Sequence, residues 1–136
     1  MFEILEHTAD IGFRAQAPTL PELFESAGEA LVSIAMEIKS VTAHQTYTLH
    51  ASGDSNESLL VNWLSEALYL LDGEHLAIRR FQVTELAPGR IQGVAFGERL
   101  DPARHPAKMV VKGVTWHQLK IEQTSHGWCC EVYLDI

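Results

Sequence analysis

The sequence predicts an α+β fold, two helices packed on a largely antiparallel sheet in one domain spanning residues 1–136. Three observations carry this. Two stretches have apolar residues at helical three- and four-residue steps. Strand-like alternation dominates the second half. The elements are clustered rather than strictly alternating, which disfavours the parallel βαβ architecture.

The chain opens with the short apolar piece Phe2 to Leu5 and the compact turn "HTADIG". Ile11, Phe13, Ala15 and Ala17 then alternate with Gly12, Arg14 and Gln16, as in a strand with one buried face, and Pro18 ends it. "TLPELFESAGEALVSIAM" reads as the first helix. Pro21 suits the opening turn, where its missing N–H costs nothing, and Glu22 and Glu25 complement the positive helix end. Leu23, Phe24, Ala27, Ala30, Leu31, Ile34 and Ala35 form its apolar stripe. "TYTLHAS" reads as a strand. A second helix begins near "GDSNESLL", where Asp54 and Glu57 have capping-box spacing and Ser55 is an alternative cap. Its stripe is Leu59, Leu60, Trp63, Leu64, Ala67, Leu68 and Leu71, and "DGE" ends it.

"LAIRRFQVTEL" and "GRIQGVAFGERL" flank Ala87-Pro88-Gly89, a hairpin signal. "DPARHPAKMVVKG" is a Pro-bearing polar loop. "VTWHQLKIEQ" and "GWCCEVYLDI" make a last hairpin around Thr124 to Gly127.

Composition narrows the functional classes. The 136 residues include 46% hydrophobic and 21% charged, ordinary for a globular protein that builds a core without staples. Ten Lys and Arg against eighteen Asp and Glu give a formal net charge of −8. Such a field repels phosphate backbones, so direct RNA or DNA binding is disfavoured, and metal cations or a basic protein surface are better matched partners. No apolar run approaches the roughly 20 residues that span a bilayer. The start lacks the features of a signal peptide, and a cytoplasmic location is expected. Cys129 and Cys130 are adjacent, which suits neither a disulfide nor thiolate metal spacing; Cys130 reads as packing and Cys129 as incidental.

Three segments could carry chemistry. In the last strand Trp128, Cys130, Val132 and Leu134 share one parity, while Cys129, Glu131, Tyr133 and Asp135 share the other. Asp135 thus points away from the apolar set, one residue from the carboxylate of Ile136. Two close carboxylates either sit apart in water or share a hard divalent cation, which prefers oxygen ligands. In "EHTADIG", Asp10 stands at the mouth of a strand with His7 and Thr8 in the turn; these polar side chains either bond local backbone groups or form part of a site. In "VKGVTWHQLKIE", His117 shares a face with Leu119 and Ile121. It is either a hydrogen-bonded core residue or a site neighbour, with Lys112 adding positive charge. There is no nucleophile elbow, P-loop or G-x-G-x-x-G.

Together "EHTADIGF", "VKGVTWHQLKIE" and the closing "DI" resemble the archease family, over essentially the whole chain. "ELFESAGEAL", "ESLLVNWLSEALYLLD" and Gly97-Glu98 support the resemblance. Gly113 and Trp116 stand where Ala and Tyr are common in the family. The resemblance implies a non-enzymatic activator of the GTP- and manganese-dependent RNA ligase that joins a 3′-phosphate or 2′,3′-cyclic phosphate to a 5′-hydroxyl in tRNA splicing and RNA repair. It would promote guanylylation and multiple turnover of the ligase and meet RNA only indirectly. The family's metal site carries over to Asp10, Asp135 and Ile136, the last through its terminal carboxylate, with His7, Lys112 and His117 as neighbours. Carboxylate ligands favour calcium, magnesium or manganese over zinc. Two other readings fit the residues: a small metal-dependent phosphohydrolase using Asp10, Asp135 and His117, and a general chaperone or interaction module.

Overall fold

The computed structural model describes residues 1–6 and 10–136. The elements follow in the order β1 (Phe2–Glu6), β2 (Asp10–Ala17), α1 (Leu20–Ala35), a short 3-10 turn at Ile38–Ser40, β3 (Gln45–Ser52), α2 (Asn56–Asp72), β4 (Leu76–Ala87), β5 (Arg90–Arg99), β6 (Gly113–Val114), β7 (Lys120–Thr124) and β8 (Gly127–Asp135). Every strand pair is antiparallel, which agrees with the predicted α+β class.

Each helix starts on a side-chain cap. Thr19 Oγ1 accepts from the Glu22 N–H at 3.3 Å, with Pro21 in the first turn of α1. At α2 the alternative cap is the one used. Ser55 Oγ accepts from the Ser58 N–H and Ser58 Oγ from the Ser55 N–H, both at 3.0 Å. The Asp54–Glu57 pairing is not formed; Asp54 instead accepts from Ser58 Oγ at 3.1 Å.

The strands form two sheets where the sequence suggested one. The larger runs β1-β2-β8-β6, with β7 also paired to β8; the smaller runs β3-β5-β4. Both bury an apolar face against the same two helices, so hydrophobic alternation alone does not separate them. The final strand lies inside the larger sheet, between β2 and the β6/β7 edge, and the loop after β5 carries the chain across. One hydrophobic cluster joins both sheets and both helices. At its centre Trp63 is fully buried, its Nε1–H donates to the Phe24 carbonyl at 3.0 Å, and Phe24 and Phe81 pack on its ring. Trp63→Ala would cost about 3–5 kcal/mol. Among the described residues, no helix is long and apolar enough to cross a membrane.

The predicted strand "VTWHQLKIEQ" is broken. β6 ends at Val114, a turn occupies His117 and Gln118, and β7 starts at Lys120. Gln118 takes φ 52, outside the strand region, so the alternation across this stretch does not continue. His117 is exposed in the turn rather than set in an apolar strand face or the core.

Candidate functional site: an aspartate pair at the end of the larger sheet

The larger sheet has an inner and an outer face. Ile11, Phe13 and Ala15 of β2 and Cys130, Val132 and Leu134 of β8 are buried toward the helices. The opposite parity places Asp10, Gly12, Arg14 and Gln16 beside Asp135, Tyr133, Glu131 and Cys129 on the outer face.

The register of β2 with β8 is decisive for the two aspartates. Asp10 stands directly opposite Asp135. Side chains so opposed have Cβ atoms about 5 Å apart, and like charges in that position repel. Asp10 is half-buried and Asp135 exposed. Among the described residues neither carboxylate enters an ion pair. On its other side Asp135 faces Gly113 of β6, and its carbonyl accepts from the Lys112 N–H at 2.7 Å. Lys112 therefore adjoins the pair through its backbone, and its side chain is exposed. Ile136, 38% exposed, follows immediately. His7, with Thr8 and Ala9, lies outside the described residues.

The next outer-face pair explains a glycine. Gly12 is opposite Tyr133, and a Cβ on Gly12 would come within 2.6 Å of the Tyr133 ring. Glycine lets that ring lie flat across β2, which buries Tyr133 to 8% exposure on an otherwise polar face. His117 packs edge-on to the same ring, with centroids 6.2 Å apart. Its turn is held to β8 by Thr115, whose N–H and Oγ1 both donate to the Tyr133 carbonyl at 3.0 Å. The fold thus brings His117 to the residue pair next to Asp10 and Asp135. One pair further along, Arg14 bridges Glu3 and Glu131, each at 3.5 Å.

The chemistry of this end is that of hard oxygen donors, with no ion-pair partner for either aspartate among the described residues. Among the described residues no three His, Cys, Asp or Glu side chains gather into a metal-sized cluster, so the aspartates stand as a pair.

A second polar group, which the sequence reading missed, sits at the start of the loop after β5. Glu98 is 6% exposed. Its carboxylate accepts a two-pronged contact from Arg104 (3.0 and 3.1 Å), a bond from the Thr42 N–H (2.9 Å) and one from His105 Nε2 (2.8 Å). His44 lies 3.4 Å away. The Thr42 N–H, His105 and Arg104 together hold the Glu98 carboxyl down at about 2. His105 Nδ1 accepts from the Asp101 N–H at 2.8 Å, which places the ring proton on Nε2, pointing at Glu98. The signal was the spacing in "GERLDPARH", an acid followed six and seven residues later by Arg and His. The cysteines match their reading: Cys130 is buried and its thiol is pushed up to about 12 by that burial, and both cysteines are free.

Against this geometry, the model of the Archease protein family (MTH1598/TM1083) matches residues 2–136. The chain belongs to the archease family. The archease protein of Methanosarcina mazei is 37% identical over 139 residues, covering 99% of this chain and 95% of that protein. That of Pyrococcus furiosus is also 37% identical over 139 residues, with 99% and 98% covered. Among solved structures, the solution structure of Methanobacterium thermoautotrophicum protein 1598 superposes with a TM-score of 0.78 at 27% identity, covering 99% of this chain and 98% of that one. The crystal structure of an archease, "possible chaperone", from Thermotoga maritima gives 0.66 at 18% identity, covering 97% and 94%, and shows the shared fold.

Proposed function

We propose that this protein is a metal-binding accessory protein that activates an RNA ligase of the GTP- and manganese-dependent kind, promoting its guanylylation and multiple turnover in tRNA splicing or RNA repair. Archease family membership supports the ligase as partner. The observation that carries the metal is the direct opposition of Asp10 and Asp135, neither of which enters an ion pair among the described residues.

The pair fits a hard divalent ion by chemistry. Two opposed carboxylates gain most from calcium, magnesium or manganese, and the carboxylate of Ile136 would add a third oxygen donor from the same end of the sheet. Water or the partner would complete the shell, since such ions take six or more oxygens. A bound ion would supply positive charge at a protein surface that is otherwise acidic, where a nucleotide-using ligase could meet it. Asp10 and Asp135 would hold it, and the Tyr133 ring, lying over Gly12, and His117 stand beside them on the same face. The protein carries no nucleophile motif or phosphate loop, in keeping with a role performed on another protein.

The test is guanylylation of a purified partner ligase with and without this protein. Stimulation should be lost in Asp10→Ala and in a form extended beyond Ile136, both folded by circular dichroism. Full stimulation by either variant contradicts the proposed site, and absence of any stimulation by the unaltered protein contradicts the activator role. Phosphate release from RNA ends or nucleotides without the ligase would favour the phosphohydrolase instead.

One observation favours the chaperone reading as second. A concavity of about 220 Å³ between the helix ends and the loop after β5 is lined by Met36, Leu68, Leu71, Met109 and Val110, the last 75% exposed. Rescue of unrelated clients that survives Asp10→Ala would support it.

A further inference from the structure

Open sheet edges present unpaired backbone groups, and natural proteins guard them with charges, proline or bulges. Three edges here are guarded. β1 carries Glu3, and β7 carries Lys120 and Glu122. β4 carries Arg79, Arg80 and Glu85, has register breaks at Ile78/Arg80 and Val83/Glu85, and its Val83 N–H is taken by Glu25 Oε2 at 2.7 Å.

β3 differs. "QTYTLHAS" is eight residues without Asp, Glu, Lys, Arg, Pro or Gly. It pairs with β5 in unbroken register from Gln45 to Ser52. Among the described residues its remaining backbone contact is at one end, where Asn62 Nδ2 donates to the Ser52 carbonyl at 2.7 Å. Beside that end lies a concavity of about 460 Å³ lined by His50, Ser52, Asn62, Ser65 and Glu66. Thr46, Thr48 and His50 are exposed on the outer face of the smaller sheet.

We propose that β3 is a self-association edge, pairing antiparallel with β3 of a second copy to join two three-stranded sheets into one of six strands. Charge singles out this edge over the others for contact between copies. Each chain carries −8, so two copies repel wherever acidic surface meets, and among the described residues β3 is the long edge strand free of formal charge. The strand is also self-complementary. A two-fold axis at Thr48 opposes Thr48 with Thr48, a pair that stabilises antiparallel strands, and sets Tyr47 opposite Leu49, Thr46 opposite His50 and Gln45 opposite Ala51, with no like charges facing. The edge belongs to the smaller sheet, and the aspartate pair to the larger one, so the dimer leaves that end free and stands or falls apart from the metal reading.

Sedimentation velocity of the full chain from micromolar to millimolar protein tests this. A concentration-dependent dimer is expected. Thr48→Lys, which opposes two ammonium groups across the axis, should weaken it about tenfold or more while leaving the circular dichroism unchanged. Hydrogen exchange should show the β3 amides becoming more protected as concentration rises. A monomer throughout, or a dimer with unchanged affinity in Thr48→Lys and no gain in β3 protection, overturns the proposal. The monomer result would leave the edge to an extended segment of another protein.

Discussion

Two groups of carboxylates in this protein are handled in opposite ways. Glu98 is buried and receives Arg104, His105 and a backbone N–H, so every charge is answered. Asp10 and Asp135 face each other across two strands, and among the described residues no cation answers them. The first arrangement ties down a loop: His105 and Arg104 are drawn back onto the end of β5, and Lys108 then bonds the C-terminal end of α1 through the Ala35 carbonyl at 3.0 Å. The second sets two like-charged side chains directly opposite each other, an arrangement that repels. A satisfied carboxylate is read as architecture; an opposed, unanswered pair is read as a site.

The contrast predicts opposite signs on neutralisation, and the largest effects belong to the Glu98 group. His105→Ala should cost about 2–3 kcal/mol in denaturant unfolding, because Glu98 loses a buried charge-assisted bond. A cost within error would show that the loop is held by its apolar contacts alone. Acid titration of the same group should follow. Its carboxyl sits at about 2 in the folded protein against an ordinary 4.5. Its contribution is therefore complete above about pH 4.5 and is lost as the pH falls toward 2. Glu98→Gln should be less stable at neutral pH and should show a shallower loss of stability across that window. An unchanged acid slope would contradict the geometry.

Smaller changes are expected on the outer face. Gly12→Ala should displace the Tyr133 ring, since its Cβ has no room, and should disturb the spacing of the aspartates. Loss of the near-ultraviolet signal of Tyr133 with the far-ultraviolet spectrum retained would report this; an unaltered signal would show that the ring has space to move. The smallest effect belongs to Arg14, partly exposed between Glu3 and Glu131. Arg14→Ala should cost under about 1 kcal/mol, and less at high salt. A larger loss would mean that the outer face is better organised than its exposure suggests.

How much of this was legible in the sequence differs by region for physical reasons. The helices were legible because Pro21 and the apolar stripes act within a few residues of one another. The faces of β8 were legible because Leu134 and Asp135 obey a two-residue period. The division into two sheets was not, because β2 on α1 and β5 on α2 bury the same kind of alternating apolar face in one shared core. His117 was misplaced since alternation was carried through a turn that a positive φ at Gln118 closes. The opposition of Asp10 and Asp135 depends on a register between strands from the two halves of the chain, which no local pattern encodes. Asp10 and Asp135 entered as candidates through face parity, the turn motif and the family resemblance. Glu98 was passed over because "DPARHPAK" reads as a polar loop, while its Arg and His in fact turn inward to one carboxylate.

The proposed cation site at Asp10 and Asp135 is open to one direct test. Thermal unfolding of the unaltered protein and of Asp135→Asn, each with chelator and then with calcium or manganese, tests it most directly. The account predicts that Asp135→Asn is slightly more stable than the unaltered protein in chelator, by about 0.5 kcal/mol from the relieved repulsion. It also predicts that the cation raises the melting temperature of the unaltered protein and not of the variant. A cation shift of equal size in both proteins, or none in either, would contradict it.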